Sequence, residues 1–548
     1  MTDSYDTIII GGGHNGLVCG GYLAKYGLKT LVLEKADLLG GCSVTEAAFP
    51  NYPDFRLTIG GIDHINILAT PVIKDLKLEQ YGLKYLYHDP LWYFLFDKRS
   101  LTIYKDVEKT CREIAKFSPR DAKAYKAFND FWFGILDAMG PIDMMEPISL
   151  DEMTKQLNRL GMEEVLQYLL MSPKAFAKTW FESPELQAII VWFGVQAGTA
   201  PDTPGAIFAS SLLPLTHIVG MARPQGGSGI LPESIARMIK DHGGEVFLNS
   251  EVGKIELVKD RAKRITTTDG RTYEAKQAIV SAIDAKRVFT RLIDSSHLDR
   301  TFMRRIRSIR TINPSLVNTV CALNERPKFA PQYGDSIEVA CATQMIAPSV
   351  EYLDRAWSDI IRGEPSRDPA LYCVIPSALD PTLAPPGKHT LWLSEFTPAS
   401  PTNDSWDNLR ETQGTRQIET YNKYAPNAKN AVLARKTTTP LDRENRTGNI
   451  GGHPFHIDMT IDQMLNFRPI LDFSNYKTII EGLYLSGSGT HPGGGISGAP
   501  GHNAAMVVLE DLRLIKRKQR LKQVLGAYSM VKALKSAKKS LDSLDVLS

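Results

Sequence analysis

The sequence lacks several features that would assign it to a specialised class. It has six cysteines in 548 residues and no CxxC pair, which gives no basis for a zinc or iron–sulfur site and predicts reduced thiols in the cytoplasm. No run of about 18 apolar residues is present, so no membrane-spanning helix is expected. A strand-like segment begins within seven residues of the N-terminus, and no signal peptide is therefore expected.

Charge of one sign is also scarce, because the net charge is only +3. From Leu512 to the end, however, ten Lys or Arg face two Asp, and apolar residues recur there at helical spacing. We therefore predict a basic amphipathic tail over 516–548 that contacts an anionic membrane surface or is simply solvated. The tail lacks interleaved base-stacking aromatics, so nucleic-acid binding is not expected.

The glycines, in contrast, are concentrated in informative places. The apolar run Thr7 to Ile10 predicts a buried parallel strand that leads directly into Gly11-x-Gly13-x-x-Gly16. Gly11 permits a tight turn, Gly13 lets a pyrophosphate approach the backbone, and Gly16 lets the next helix pack closely. That helix, predicted over about 15–26, directs its N-terminal amides at the phosphates.

The residues after this helix complete a dinucleotide-binding unit. A second strand over 29–33 ends at Glu34, where a carboxylate can accept hydrogen bonds from a ribose diol, as in FAD or NAD. Glu34, and Lys35 beside it, are candidate cofactor-binding residues. The pair Gly40-Gly41 then predicts a second loop at the diphosphate, with Gly41 as a further candidate.

A second glycine-dense segment lies near the C-terminus. A strand ending at Leu485 is followed by a loop containing Gly487, Gly489 and Gly495, and a helix is predicted over about 503–514. Backbone amides in such a loop can face an electron-rich group such as the edge of a flavin ring.

The middle of the chain is less specific. Helical periodicity with many aromatic residues predicts a helical region over about 70–220, which is either plain core or the wall of a tunnel for an apolar substrate. A glycine-rich turn after 223, a helix over 230–242 and several short strands then indicate that the dinucleotide fold resumes. Residues from about 311 to 465 mix strands and helices.

Histidines provide weaker candidates for catalysis. Asp63-His64 is either a structural pair or a site near the cofactor, and His491 lies within the C-terminal glycine loop. His453 and His456 have an HxxH spacing but no clear third ligand, so no metal site is expected.

Three segments, Ile10 to Leu17, Arg223 to Gly229 and Tyr484 to Gly501, resemble the phytoene-desaturase-like family of FAD-dependent carotenoid enzymes nearly end to end. Within it, the chain is similar to the cyanobacterial-type β-carotene ketolase. That narrower resemblance rests on 62–64, 75–83, 117–122, 379–387 and 493–501. The same scaffold serves desaturases and cis–trans isomerases.

The resemblance implies an α/β flavoprotein with a Rossmann-like, two-dinucleotide-binding FAD domain, interleaved with a mixed α+β substrate domain. The FAD domain would comprise 1–70, 220–310 and 470–515, and the substrate domain 71–219 and 311–469. It also implies non-covalent FAD, with Val252 at the adenine.

The expected activity is oxidation of a long apolar carotenoid, foremost ketolation of β-carotene at C4, by a peripheral membrane enzyme that passes electrons to a quinone or oxygen. Alternatives are a desaturase or isomerase on the same scaffold, an amine-oxidase-like flavoenzyme, and a non-catalytic carotenoid-binding protein.

Overall fold

A computed structural model of the chain describes residues 3–159, 163–311, 314–517 and 536–541. The described strands, in chain order, are β1 Asp3–Ile10, β2 Thr30–Leu33, β3 Thr45–Glu46, β4 Leu57–Thr58, β5 Tyr85–Tyr87, β6 Trp92–Leu95, β7 Ser100–Ile103, β8 Ala222–Pro224, β9 Glu245–Phe247, β10 Val252–Val258, β11 Arg261–Thr267, β12 Thr272–Ser281, β13 Ser315–Leu323, β14 Thr343–Ile346, β15 Leu371–Val374, β16 His389–Thr397, β17 Val432–Thr438 and β18 Leu483–Leu485.

The described α-helices are α1 His14–Lys25, α2 Val72–Asp75, α3 Val107–Ile114, α4 Pro119–Asp143, α5 Leu150–Arg159, α6 Glu163–Leu169, α7 Pro173–Trp180, α8 Pro184–Gly194, α9 Leu212–Val219, α10 Ile230–Asp241, α11 Ala285–Arg287, α12 Arg300–Ser308, α13 Ile337–Cys341, α14 Val350–Ile361, α15 Pro376–Leu379, α16 Trp406–Asn422, α17 Ala428–Ala431, α18 Pro440–Thr447 and α19 Ala499–Asp511.

The first large sheet carries the N-terminal glycine motif. Its strand order is β10-β11-β12-β1-β2-β9, and β18 pairs with the far end of β12. The pairs β1–β2, β1–β12, β2–β9 and β12–β18 are parallel, whereas β10, β11 and β12 form an antiparallel meander. This arrangement confirms the predicted Rossmann-like α/β fold, in which ligands bind at the carboxyl ends of the parallel strands.

Two helices from opposite ends of the chain pack beside this sheet. Helices α1 and α19 touch along their length, and a Cβ added at Gly501 would lie 2.2 Å from the carbonyl oxygen of Asn15. Glycine at 501 therefore allows the two helices to approach closely. Helix α19 begins at Ala499, earlier than the predicted start at about 503.

The second large sheet has the order β17-β13-β16-β15-β14-β6-β7, antiparallel except for β14–β6. One face contributes Trp92 and Phe94 to a core formed with the helices of the region 119–219, and the other contributes Tyr93 and Leu95 to a core beneath α16. The alternation follows from the two-residue period of a strand.

The region predicted as helical over 70–220 is mostly helical, but β6 and β7 correct that prediction. Their apolar run is too short to show whether it forms a strand or a helix, and partner strands distant in sequence decide the outcome. Tyr125, Phe128 and Trp132 of α4 are fully buried among other helices. They are core residues, the first of the two interpretations of this aromatic face.

The predicted domain segments remain a proposal. The first sheet draws its strands from 3–33, 245–281 and 483–485, and the second from 92–103 and 315–438. In the described residues, no helix has both the length and the apolarity to cross a membrane. Most of the predicted tail, 518–535 and 542–548, lies outside the described residues, but Ala537 and Leu541 are buried against the helical core.

Candidate functional site

The glycine loops surround a narrow cavity of about 70 Å³, which we call the cradle. It lies where β1 and β18 end, as expected for a Rossmann-like sheet. Its lining residues are Gly11, Gly13, His14, Asn15, Gly16, Glu34, Ala36, Leu38, Gly40, Gly41, Cys42, Ala282, Ile283, Arg446, Thr447, Asn449, Pro454, His456, Gly487 and Ser488.

Glycine serves two different purposes in the first loop. A Cβ added at Gly16 would lie 2.1 Å from the carbonyl oxygen of Gly11, so the turn into α1 has no room for a side chain. A Cβ added at Gly13 would meet no protein atom within 4 Å and would stand in open space at the cradle. Gly16 is therefore needed by the fold, whereas Gly13 leaves room for a ligand.

Glu34 lies at the end of β2 in the wall of the cradle. Its carboxylate accepts hydrogen bonds from the backbone N–H of Gly12 at 2.6 Å and of Ala36 at 2.8 Å. Burial raises the pKa of Glu34, opposed by these two hydrogen bonds. Each carboxylate oxygen keeps a further acceptor position, which suits the hydroxyl donors of a ribose.

Two buried polar atoms of the cradle have no hydrogen-bond partner among the described residues: Oδ1 of Asn15 and Nδ1 of His456. Burial lowers the pKa of His456 to about 3, with Arg468 contributing, so its ring is neutral near pH 7. Buried polar groups without partners are costly, so these two atoms indicate a polar ligand in the cradle.

A second, wider cavity of about 250 Å³ adjoins the cradle and is lined mainly by apolar and aromatic side chains. Both cavities share His14, Cys42, Pro454 and Ser488 in their linings. Aromatic side chains from separate elements meet in the wall: the ring centroids of Trp192 and Tyr372 are 5.7 Å apart, and those of Tyr372 and Trp392 are 5.4 Å apart. A polar ligand in the cradle can therefore extend into an apolar chamber.

His14 lies at the junction of the two cavities. Its Nε2 is 3.2 Å from the carbonyl oxygen of Gly495, which can only accept, so this nitrogen carries the proton. Burial lowers the pKa of His14 to about 4, and the imidazole is therefore neutral near pH 7.

Asp63 is a buried carboxylate in the wall of the wide cavity. It accepts hydrogen bonds from Arg223 Nε at 2.7 Å, from the Thr343 hydroxyl at 2.6 Å and from the Tyr372 hydroxyl at 2.5 Å. Burial alone would raise its pKa, but Arg223, His88 and the two hydroxyls outweigh burial and hold the pKa of Asp63 below its usual value. Asp63 is thus ionised and fully engaged, and its partner is Arg223 rather than the adjacent histidine.

The structure brings most of the predicted cofactor residues together. Gly11, Gly13, Gly16, Glu34, Gly41 and Gly487 line the cradle, and Gly495 lines the wide cavity. Gly489 packs behind the cradle, where an added Cβ would be 3.5 Å from Cβ of His456. Lys35 and Val252 lie outside both linings: Lys35 Nζ donates to the carbonyl oxygen of Asn445, and Val252 pairs with Thr267 in the antiparallel meander.

The two histidines predicted to be catalytic lie outside both linings. His64 is buried, with Nδ1 2.8 Å from the Tyr85 hydroxyl and Nε2 3.2 Å from Oγ of Ser228. His491 is also buried, and its carbonyl oxygen accepts a hydrogen bond from Tyr476. Their catalytic roles remain predictions. Over the described ranges, no three His, Cys, Asp or Glu side chains form a group suited to a metal ion.

Several lining residues were not among the sequence candidates. His14, Asn15 and Cys42 belong to the glycine segments, and their position between the glycines was a signal that could have found them. Arg446, Asn449 and His456 come from a distant part of the chain. His456 lies in a loop already expected near the cofactor, but no spacing indicates which of its side chains faces the cradle.

The residues present fit an FAD molecule. The cradle offers open space at Gly13, a carboxylate for a ribose and two unpartnered polar atoms, and it leads into an apolar chamber. Residues 9–64 match the NAD(P)-binding Rossmann-like domain, and residues 181–509 match the family of flavin-containing amine oxidoreductases.

Curated relatives cover nearly the whole chain. Pyridine nucleotide-disulfide oxidoreductase domain-containing protein 2 of Mus musculus is 31% identical over 94% of this chain and 94% of its own. A protein of the limonene dehydrogenase of Castellaniella defragrans is 27% identical, covering 93% and 95%. A lycopene-forming phytoene desaturase of Pseudescherichia vulneris is 24% identical, covering 92% and 99%. The chain therefore belongs to the flavin-containing amine oxidoreductase family, as an FAD-dependent oxidoreductase of the superfamily that joins amine oxidases and carotenoid desaturases.

Proposed function

We propose that this chain uses FAD held in the cradle to oxidise an apolar isoprenoid held in the wide cavity. The observation that carries this proposal is the continuity of the two cavities, which share His14, Cys42, Pro454 and Ser488. A cofactor that begins at Glu34 and follows the glycine loops would end beside the apolar chamber. The substrate would then be held next to the redox-active end of the cofactor.

When bound, FAD supplies a hydride acceptor, and the protein supplies binding, orientation and the electrostatic environment. The chain's own contribution begins with exclusion of water by the aromatic walls around Trp192, Tyr372 and Trp392. Asp63 fixes the position of the Tyr372 hydroxyl, and neutral His14 holds the carbonyl of Gly495 at the junction. These interactions make the chamber rigid rather than adaptable.

The substrate class is supported by the character of the wall and by the names of the relatives. An apolar, aromatic chamber favours hydrocarbon ligands. One relative is named for limonene and another for phytoene, both of which are isoprenoid hydrocarbons. Both names denote dehydrogenation, so we propose hydride removal from an allylic carbon as the main reaction. Ketolation of β-carotene at C4 stays a finer prediction within the same class.

The cofactor part of the proposal is tested with Gly13→Ala. The φ of Gly13 is −67°, which any residue adopts, and the added methyl group meets no protein atom. We expect the variant to fold with an unchanged melting temperature but to bind FAD at least tenfold more weakly, because the methyl group occupies the path of the diphosphate. Flavin absorbance and isothermal titration of the apoprotein with FAD measure this.

The matched control is Gly16→Ala, whose methyl group would collide with the carbonyl of Gly11. We expect this variant to lose folding stability in addition to FAD. If Gly13→Ala retains full FAD affinity, or if the purified chain takes up no FAD at all, the proposed cofactor site is wrong.

The substrate part is tested by expressing the chain in bacteria that accumulate phytoene, lycopene or β-carotene, and by anaerobic mixing of the FAD-loaded protein with limonene. Longer conjugation or flavin bleaching supports dehydrogenation. Echinenone or canthaxanthin would establish the ketolase prediction. No change with any of these hydrocarbons would remove isoprenoids as the substrate class.

A second candidate is amine oxidation, favoured by the edge-to-face pair of Tyr372 and Trp392 in the cavity wall, at 83° between ring planes. Aromatic faces can hold an organic cation. Hydrogen peroxide release from putrescine or cyclohexylamine would support this candidate over the isoprenoid.

We also propose that a quinone or oxygen reoxidises the cofactor and that the basic tail contacts an anionic membrane. The tail proposal rests on the sequence pattern alone. Flotation of the full chain and of a chain ending at residue 515 with anionic and neutral vesicles tests it, and equal flotation of both chains would contradict it.

A further inference from the structure

We propose that Asn318 and Ser394 form a hydrogen-bond donor subsite in the wide cavity, which selects an isoprenoid carrying an uncharged oxygen, such as a ring ketone, over the parent hydrocarbon. This inference rests on the proposed function in treating the wide cavity as the substrate site. It goes further because it names the functional group that the substrate carries.

The two residues are neighbours on one face of the second sheet. Asn318 of β13 is paired with Ser394 of β16, and Ser394 is paired with Tyr372 of β15. Directly paired residues place their side chains on the same face of a sheet. All three line the wide cavity, so a row of polar groups crosses an otherwise aromatic wall.

Arg443 fixes which end of the Asn318 side chain is free. This arginine lies in α18, is almost fully buried, and its Nη2 is 2.5 Å from Oδ1 of Asn318. A guanidinium can only donate, so the oxygen of the amide must face Arg443 and the NH₂ group must face away. Nδ2 of Asn318 is buried and has no acceptor among the described residues.

The other polar groups of the row do not supply that acceptor. The Tyr372 hydroxyl is used by Asp63, and Asp63 is already held by Arg223 and Thr343. The Ser394 hydroxyl has no hydrogen bond within the part of the chain that the structure describes. The row therefore offers donors that lack acceptors, next to a buried guanidinium.

Glu395, which also lines the cavity, does not reverse this preference. Its side chain is directed to the opposite face of β16, since successive residues of a strand alternate, and its Oε1 accepts hydrogen bonds from Gln413 at 2.8 Å and Gln417 at 2.9 Å. The titratable groups that interact with it are Arg416 of α16 and Tyr352 of α14.

An uncharged oxygen satisfies this arrangement better than the alternatives. A ketone or hydroxyl oxygen accepts from the free NH₂ group of Asn318 and removes the penalty of a buried, unpaired donor. An ammonium group would instead face an N–H donor and the nearby charge of Arg443. A pure hydrocarbon fits the aromatic wall but leaves Nδ2 unpaired.

The test uses carvone and limonene, which share one carbon skeleton and differ by a ring carbonyl, together with cyclohexylamine as the cationic probe. Binding to the FAD-loaded full chain is followed by tryptophan fluorescence, because Trp192, Trp357 and Trp392 line the cavity. We expect carvone to bind about tenfold more tightly than limonene, the ratio set by one hydrogen bond.

The decisive variant is Asn318→Asp, which keeps the shape and the contact with Arg443 but replaces the free donor by an acceptor. We expect it to lose the preference for carvone and to bind cyclohexylamine about tenfold more tightly than the parent chain does. Ser394→Ala should lower the preference by about twofold to threefold.

Thr319→Val is the matched control, because Thr319 follows Asn318 on the same strand but bonds to Thr437 on the other face. It should leave the preference unchanged. The inference is overturned if the parent chain does not prefer carvone, if Asn318→Asp keeps the preference, or if Asn318→Asp releases FAD, which would assign the subsite to the cofactor. A carvone preference in a chain that binds no FAD would instead contradict only the proposed function.

Discussion

The cradle is formed mostly by backbone from short glycine segments, whereas the wall of the wide cavity is formed by side chains from many separate elements. In the cradle, Gly13 and Gly487 bring the ends of β1 and β18 to one point. In the wide cavity, Trp192 from α8 meets Tyr372 from β15 and Trp392 from β16.

The difference shows why the family is easier to assign than the substrate. Backbone that binds a diphosphate needs glycine at fixed spacing, so the cofactor site leaves a pattern in the sequence. An apolar wall needs only side chains of suitable size, and many combinations of residues from distant segments meet that need. The cofactor site is therefore constrained by the chemistry of its ligand, while the chamber is free to vary.

The largest expected effect comes from Arg468, which connects the two regions. It is fully buried and donates to the carbonyl oxygens of Phe455, which lines the wide cavity, and of Ser488, which lines both cavities. Arg468→Met leaves several buried acceptors unsatisfied, so we expect the free energy of unfolding to fall by about 5 kcal/mol.

Urea denaturation measures this change, with Arg304→Met on the exposed side of α12 as the control. The control should stay within about 0.5 kcal/mol of the parent chain. A loss of stability in Arg468→Met no larger than in the control would show that the two regions are not joined by this side chain.

An intermediate effect is expected from the ion pair beside the wide cavity. Arg223→Met leaves Asp63 buried without its cation, and we expect a loss of about 3 kcal/mol at pH 7. Because the folded pKa of Asp63 lies below its unfolded value, the contribution of the pair is present above about pH 4 and is lost as the pH falls through the folded pKa. Denaturation from pH 7 down to pH 3 should therefore show the difference between the two chains shrinking, and a constant difference would contradict the assignment.

The smallest effect at neutral pH, and the most sensitive to pH, is expected at Glu395. Burial raises its pKa to about 8, against the hydrogen bonds from Gln413 and Gln417. A raised folded pKa means that the stability supplied by the neutral acid is complete below about pH 4.3 and is lost as the pH rises through the folded pKa. Relative to Glu395→Gln, the parent chain should lose up to about 1.4 kcal/mol per pH unit between pH 5 and pH 8. Urea midpoints at pH 5, 6.5, 8 and 9 test this, and parallel curves for the two chains would refute it.

Much of the first sheet is predictable from the sequence because its signals are local. The strand before Gly11, the helix after it and the acid at Glu34 appear where the spacing places them. Errors arise where pairing is distant. The segment 272–281 forms one strand rather than two, and β6 joins β14 across about 250 residues. Local sequence contains no information about a partner strand so far away.

The sequence by itself determined the dinucleotide fold and most residues of the cradle, because backbone geometry at a diphosphate demands glycine and a ribose favours an acid. Only the tertiary structure decided that Asp63 pairs with Arg223, that His64 is enclosed by Tyr85 and Ser228, and that Asn318 presents a free donor. These contacts join residues more than twenty positions apart, and their identity depends on how the sheets and helices pack rather than on any local pattern.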